Sequence, residues 1–127
     1  MITSVNCFPK AIQILAREDQ YEVVAQKLPH NGLAEDGTMK GYSVEEMIEV
    51  CWKLGYTLWI FPVEWAPVAL VALKRMDAAL VCGTLRDGRE HAIVYLKGMY
   101  LDSTHVYGRE SPFEKITILG KLEKWST

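Results

Sequence analysis

Two glycine-containing dipeptides, Asp87-Gly88 and Lys97-Gly98, divide the second half of the chain into short apolar segments. Such dipeptides are typical of tight turns between strands, and the segments beside them are rich in residues that favour strands. We predict antiparallel strands at residues 79–85, 91–96 and 99–102. One or two final strands are predicted within residues 115–125, after a loop at residues 108–113.

The first half of the chain instead has apolar residues at helical spacing. A first helix is predicted at residues 7–16, with Asn6 as its N-cap, and a short second helix follows Asp19. The capping box that begins at Ser43 opens a third helix, which Gly55 ends. A glycine-rich surface loop at residues 29–41 joins the second helix to the third.

After Gly55, residues 56–63 form a predicted strand and residues 67–76 a fourth helix. Helices therefore come first and an antiparallel sheet follows, which is the order of an α+β fold. We expect a single domain over residues 1–127, because 127 residues is a typical length for one domain.

Composition excludes several functional classes. Half of the residues are hydrophobic and 24% are charged, so the chain is not a disordered one. The net charge is −2 and no basic run is present, so we expect no nucleic-acid partner. The longest apolar stretch, residues 66–73, is too short to span a membrane. The first residues lack the pattern of a secretory signal, which predicts a cytoplasmic protein.

The three cysteines, Cys7, Cys51 and Cys82, are an odd number without metal-binding spacing, so neither a disulfide framework nor a zinc site is expected. Cys7 stands at the predicted start of the first helix. Unpaired backbone N–H groups and the helix dipole there favour a thiolate and lower a cysteine pKa below its usual value of about 8.5. The alternative is a small buried hydrophobic residue, as we expect for Cys51 and Cys82.

The register of the predicted hairpin brings a histidine and an aspartate together. If Lys97-Gly98 is a two-residue loop, Tyr95 lies opposite Tyr100, and His91 is the diagonal neighbour of Asp102 on the same face. A loop of odd length would place Asp102 on the other face. The alternative interpretation is a histidine at a sheet edge and an aspartate in a turn.

Cys7, His91 and Asp102 together supply the three roles that nucleophilic catalysis by a thiol requires. The cysteine needs a basic imidazole, and the imidazole needs a carboxylate or an amide that fixes its tautomer. Sequence distance alone does not show whether the helix that carries Cys7 docks near the hairpin.

The segments Asn6-Cys7-Phe8-Pro9, Glu90-His91-Ala92-Ile93-Val94 and Met99-Tyr100-Leu101-Asp102-Ser103, in this order, resemble the papain-like cysteine peptidases. The chain is most similar to their bacteriocin-processing, double-glycine branch, and the resemblance covers residues 6–103. It implies a papain-like α+β fold, and we expect neither a cofactor nor a metal. It also implies that Cys7 is the nucleophile, His91 the base, Asp102 the orienting residue and a peptide or protein the substrate.

The chain departs from that family at two positions. Phe8 follows the cysteine where the family has glycine, and Met1 stands where the family has a glutamine that helps to form the oxyanion hole. Loss of one oxyanion donor typically lowers the rate by about two to three orders of magnitude. Asn6 is the nearest amide that would replace it, although its side chain is also the predicted helix cap.

Several aromatic and histidine residues have two interpretations. Tyr95 and Tyr100 either contact substrate or pack against each other. Trp59 and Phe61 alternate with Leu58 and Ile60, which predicts a strand buried on both faces. Trp52 and Trp65 either line a groove or belong to the core. His30 and His105 lie in predicted loops without metal-ligand spacing.

Two functions follow from these observations. The first is a cysteine hydrolase that cleaves a peptide or related amide bond through a thioester, with acyl transfer on the same triad as its close variant. The second is a catalytically weak or inactive papain-like module that binds a peptide or protein partner. The missing glutamine favours the second, and the presence of all three triad residues favours the first.

Overall fold

A computed structural model describes residues 7–16, 44–64, 66–102 and 105–124. The described part has an α+β architecture with a six-stranded antiparallel sheet. Its helices are α1 (Cys7–Ala16), α2 (Val44–Lys53) and α3 (Ala66–Lys74). Its strands are β1 (Tyr56–Pro62), β2 (Ala78–Leu85), β3 (Glu90–Leu96), β4 (Met99–Leu101), β5 (Val106–Gly108) and β6 (Phe113–Lys124). Among these residues, no helix has the length and apolar character needed to cross a bilayer.

The strands lie in the order β1-β6-β2-β3-β4-β5, and every neighbouring pair is antiparallel. The last strand along the chain, β6, is inserted between β1 and β2 and is therefore the second strand from the β1 edge. The two edges are β1 and β5. The predicted second helix and the loop at residues 29–41 lie outside the described residues, as do Asn6 and Trp65.

The hairpin between β3 and β4 has the predicted register. Tyr95 pairs with Tyr100, and Leu96 pairs with Met99. Lys97 and Gly98 have φ angles of 48° and 91°, so both central residues of the turn are in the left-handed region, as a type I′ hairpin loop requires. A two-residue loop therefore fixes which side chains share a face.

The two faces of the sheet carry separate hydrophobic clusters. The first face packs against α1 and α2, and the second face packs against α3. The buried residues of the first face are Ala11, Ile12, Met47, Val50, Cys51, Leu58, Leu80, Cys82, Ala92 and Val94. Those of the second face are Val63, Ala69, Leu73, Ala79, Val81, Ile93, Tyr100, Phe113 and Leu119. The alternation of Ala92, Ile93 and Val94 between the faces shows why β3 is a nearly continuous apolar run.

The prediction that the strand of Trp59 is buried on both faces is wrong. Leu58 is buried on the first face, but Trp59 and Phe61 are 51% and 43% exposed. The strand that carries them, β1, is at the sheet edge, and α3 packs over its neighbour β6. The second face of β1 is therefore left open to solvent. Trp52 on α2 is 59% exposed and does not belong to the core.

The pattern of the sequence does not indicate β5, a strand of three residues that is too short for alternation to be visible. The final part of the sheet is the single long strand β6, which begins at Phe113. It contains a bulge opposite β2, because Cys82 pairs with Ile118 while the next residue, Gly83, pairs with Ile116.

Candidate active site

His91 is the second residue of β3 and has the same parity as Ile93 and Tyr95, which belong to the second face. Its cross-strand neighbour on β2 is Gly83. A side chain at Gly83 would meet the ring of Phe113, which also lies on the second face. These neighbours place the imidazole on the second face, near the end of the sheet where β3 begins.

Asp102 follows the last residue of β4. The regular ladder between β3 and β4 ends at Val94 and Leu101, so Asp102 is one residue beyond the last pair. The backbone N–H of Asp102 donates instead to the carbonyl of His105, at 2.8 Å. This bond closes the turn that leads from β4 into β5.

The structure brings His91 and Asp102 together although the ladder stops early. The distance from His91 Nε2 to Asp102 Oδ2 is 3.2 Å. The two side chains are 15% and 16% exposed, so most of their surface is withdrawn from solvent. Because Asp102 engages Nε2, it favours the tautomer with hydrogen on Nε2 and leaves Nδ1 as the basic nitrogen.

A third side chain, Tyr107, joins this pair. Its hydroxyl donates a hydrogen bond of 2.7 Å to Asp102 Oδ2, the same oxygen that faces His91. Burial, followed by the hydrogen bond and the charge of Asp102, raises the pKa of Tyr107 to about 12, and Arg89 acts in the opposite direction. The phenol therefore remains protonated, and a donor, throughout the neutral range.

The sequence pattern does not indicate Tyr107 as a site residue, because its contact with Asp102 depends on β5 and on the turn before it. The only available signal was a tyrosine five residues after the aspartate. His105, in the same turn, packs its ring against the ring of Tyr107, with centroids 4.6 Å apart and planes at 57°.

Tyr95 and Tyr100 lie beside the pair on the same face. Their ring centroids are 5.2 Å apart and the planes meet at 66°, which is an edge-to-face contact. Tyr100 is buried, whereas Tyr95 is half-buried. Burial, with a smaller contribution from Tyr95, raises the pKa of Tyr100. The two rings pack against each other, and only Tyr95 retains substantial surface.

Cys7 is the first residue of α1, as predicted, but its side chain lies outside the described structure. The body of α1 packs on the first face, mainly over β3 and β2, through Ala11 and Ile12. The helix that carries Cys7 and the side chain of His91 are thus on opposite faces of the sheet: α1 on the first face and the imidazole on the second.

The contact made by its last residue shows the direction of α1 across the sheet. The carbonyl of Ala16 accepts a hydrogen bond of 3.4 Å from the hydroxyl of Tyr56, at the start of β1. The strand register puts Tyr56 at one end of the sheet and His91 toward the other. Cys7 is therefore at the end of α1 farther from Tyr56, and His91 is at the end of the sheet farther from Tyr56.

The other two cysteines are buried in the first face. Burial raises the pKa of Cys51 to about 12, so its thiol stays protonated. Cys82 lies in the middle of β2 and is 8% exposed. Neither position suits a nucleophile that must reach substrate.

Among the described residues, no group of three His, Cys, Asp or Glu side chains is arranged to hold a metal ion. Comparison with models of known protein families, with curated proteins and with solved structures found no match.

Proposed function

We propose that this protein is a cysteine hydrolase of papain-like architecture that cleaves a peptide or a related amide bond. Cys7 is the nucleophile, His91 the general base and Asp102 the residue that orients the imidazole. The observation that carries the proposal is the contact between His91 Nε2 and Asp102 Oδ2, formed by two side chains that are largely withdrawn from solvent. An imidazole paired through Nε2, with Nδ1 as its basic nitrogen, is the form of base that a thiol nucleophile requires.

The proposed reaction follows from these roles. The Cys7 thiolate attacks the carbonyl carbon, the C–N bond breaks, and the leaving amine takes a proton from the His91 imidazolium. The product of this step is a thioester on Cys7. Water then attacks the thioester while His91 accepts its proton; the C–S bond breaks, the acid is released, and the Cys7 thiolate and the His91 imidazolium are regenerated. An amine in place of water gives acyl transfer on the same residues.

The position of Cys7 supports the nucleophile role. It is the first residue of α1, where unpaired backbone N–H groups stabilise a thiolate. It is also at the end of α1 that points away from Tyr56, and His91 is at the end of the sheet that is remote from Tyr56. The proposal requires the thiol to approach Nδ1 around the end of the sheet where β3 begins.

A second candidate function is a module that binds a peptide or protein partner without turnover. The observation that favours it is the placement of α1 and of the His91 side chain on opposite faces of the sheet. A binding module does not need a thiol within reach of an imidazole, whereas a hydrolase does.

The test is the selectivity of thiol modification. Iodoacetamide at a pH near 6, followed by peptide mass mapping, should modify Cys7 well before Cys51 or Cys82. His91→Ala should slow modification of Cys7, because the imidazole favours the thiolate. Asp87→Ala is the matched control, since it removes an exposed carboxylate whose partner is Arg89. An unselective reaction, or one that is indifferent to His91→Ala, would contradict the hydrolase.

Turnover is tested separately with an activated acyl ester. The hydrolase predicts an acyl adduct on Cys7, visible in the intact mass, that disappears with time. Its loss should be slower in His91→Ala. Absence of an adduct, together with a partner that binds the parent protein and Cys7→Ser equally well, would support the binding module instead.

A further inference from the structure

We infer that Tyr107 is a positioning residue of the proposed site, which acts by holding the Asp102 carboxylate in the orientation that engages His91. The catalytic relevance of this inference rests on the proposed function, but its test measures the His91 ring signals and needs no activity. The geometric basis is that Asp102 Oδ2 lies 2.7 Å from the hydroxyl of Tyr107 and 3.2 Å from Nε2 of His91.

One oxygen therefore links the phenol to the imidazole. A carboxylate on a short side chain can rotate, and a donor on each side of one oxygen restricts that rotation. The hydroxyl must act as the donor, because an ionised carboxylate only accepts. Without the phenol, this oxygen would lose the shorter of these two contacts and with it part of the restraint on its orientation.

The turn between β4 and β5 and the pairing of these two strands hold Asp102 and Tyr107 in place. The hydrogen bond from Asp102 N to His105 O fixes the turn, and Tyr107 follows on β5, which pairs with β4. The ring of His105 packs against the ring of Tyr107 and limits its movement. The short strand β5 thus has a specific consequence: it carries the phenol to the carboxylate.

The protonation state of the Tyr107 hydroxyl agrees with this role. The pKa of Tyr107 is raised to about 12, first by burial and then by its bond to Asp102. The donor proton is therefore kept over the whole range in which an imidazole works as a base. A tyrosine that only filled space would have no reason to aim its hydroxyl at this oxygen.

The experiment compares Tyr107→Phe with the parent protein by NMR of ring-labelled histidine at a pH where His91 is neutral. The His91 signals are assigned by their loss in His91→Gln. In the parent we expect hydrogen on Nε2 and none on Nδ1. In Tyr107→Phe the two nitrogen signals should move toward tautomer averages, and the Nε2 proton should exchange with water at least roughly fivefold faster.

Tyr56→Phe is the matched control, because it removes a phenol hydroxyl at the opposite end of the sheet. It should leave the His91 signals unchanged. Parental His91 signals in Tyr107→Phe would overturn the inference. An equal change in Tyr56→Phe would overturn it too, because a general loosening of the sheet would then explain the effect.

A second measurement covers the case in which Tyr107→Phe fails to fold. The same hydrogen bond should be visible from the phenol, so Asp102→Asn should lower the pKa of Tyr107 from about 12 toward the ordinary 10. A pKa that stays near 12 in Asp102→Asn would overturn the inference.

These readouts do not depend on Cys7 or on turnover. If Cys7 is unreactive but the His91 signals respond to Tyr107→Phe, the proposed hydrolase is wrong and the link from Tyr107 through Asp102 to His91 still holds. If Cys7 is reactive but the His91 signals do not respond, the positioning role of Tyr107 is wrong and the proposed hydrolase still holds.

Discussion

Gly83 lies directly opposite His91 in the register between β2 and β3, and the backbone carbonyl of Lys115 occupies the space where a side chain would stand. The ring of Phe113 is the next neighbour, at 3.0 Å from the position that a β-carbon would take. This close approach occurs at the bulge, where β6 shifts its pairing with β2. The candidate site is therefore built beside a place where two backbones leave no room for a methyl group.

Replacing Gly83 with alanine should lower the free energy of unfolding by roughly 1–3 kcal/mol, because a backbone carbonyl cannot move aside as a side chain can. Urea denaturation followed by tryptophan fluorescence measures this change. Because the bulge supports the strand next to His91, the same variant should also alter the His91 ring signals.

Gly120→Ala is the matched comparison. Its added methyl would meet side-chain atoms of Leu58 and Leu80 at 3.1–3.3 Å, so these neighbours would need to move by only a few tenths of an ångström. Gly120→Ala should therefore lower the free energy of unfolding by less than Gly83→Ala does. A larger loss in Gly120→Ala would show that the carbonyl of Lys115 is not a rigid obstacle.

The second prediction concerns Cys51, whose pKa is raised to about 12 by burial. The unfolded chain releases this proton near pH 9, whereas the folded chain holds it to about 12. The unfolded state then binds fewer protons, so stability from this group is complete below pH 9 and is lost as the pH rises toward 12. Cys51→Ala should make the alkaline fall in the free energy of unfolding shallower, by at most about 1.4 kcal/mol per pH unit.

Val50→Ala controls for the cavity that Cys51→Ala creates, because Val50 is equally buried on α2 and does not titrate. It should reduce stability at every pH and retain the parental slope between pH 9 and 12. The same slope in the parent and in Cys51→Ala would mean that the Cys51 thiol ionises as readily in the folded chain as in the unfolded one.

The hairpin between β3 and β4 is the part of the candidate site that could be predicted from the sequence. The register of Tyr95 with Tyr100 follows from a two-residue loop, and the period of two then puts His91 and Asp102 on one face. The contact at 3.2 Å is close to what this local rule predicts. Local rules succeed here because the turn and both strands are adjacent along the chain.

Other features depend on packing that local pattern does not contain. Nothing in the apolar spacing of α1 indicates which face of the sheet it covers, and Ile12 would suit either. The exposure of Trp59 follows from β1 being an edge strand, which is decided by where β6 inserts. Tyr107 was missed for a similar reason, since β5 is defined by its pairing with β4 and not by its own three residues.

The third prediction separates the roles of His91 and Asp102. His91→Ala should slow alkylation of Cys7 near neutral pH by at least about tenfold, because in the proposed site it removes the imidazolium that would stabilise the thiolate. Asp102→Ala should slow it less, since the imidazole remains and only its orientation is weakened. The measurement is the second-order rate constant of each variant, with Asp87→Ala as the control. Equal rates in the parent and both variants would mean that neither residue tunes the thiol.

The last prediction concerns the second oxyanion donor of the proposed site, for which Asn6 is the candidate, since Met1 stands where papain-like peptidases have a glutamine. A tetrahedral intermediate with only the backbone N–H of Cys7 as donor is under-stabilised by roughly 3–4 kcal/mol. If the Asn6 amide is that donor, Asn6→Asp should lower the rate of Cys7 acylation by roughly two to three orders of magnitude. A carboxylate still caps a helix, so the stability of Asn6→Asp should remain close to that of the parent, whereas Asn6→Ala should lose about 1 kcal/mol. If Asn6→Asp folds stably and its Cys7 is acylated at the parental rate, Asn6 serves only as the helix cap and the second oxyanion donor must be another residue.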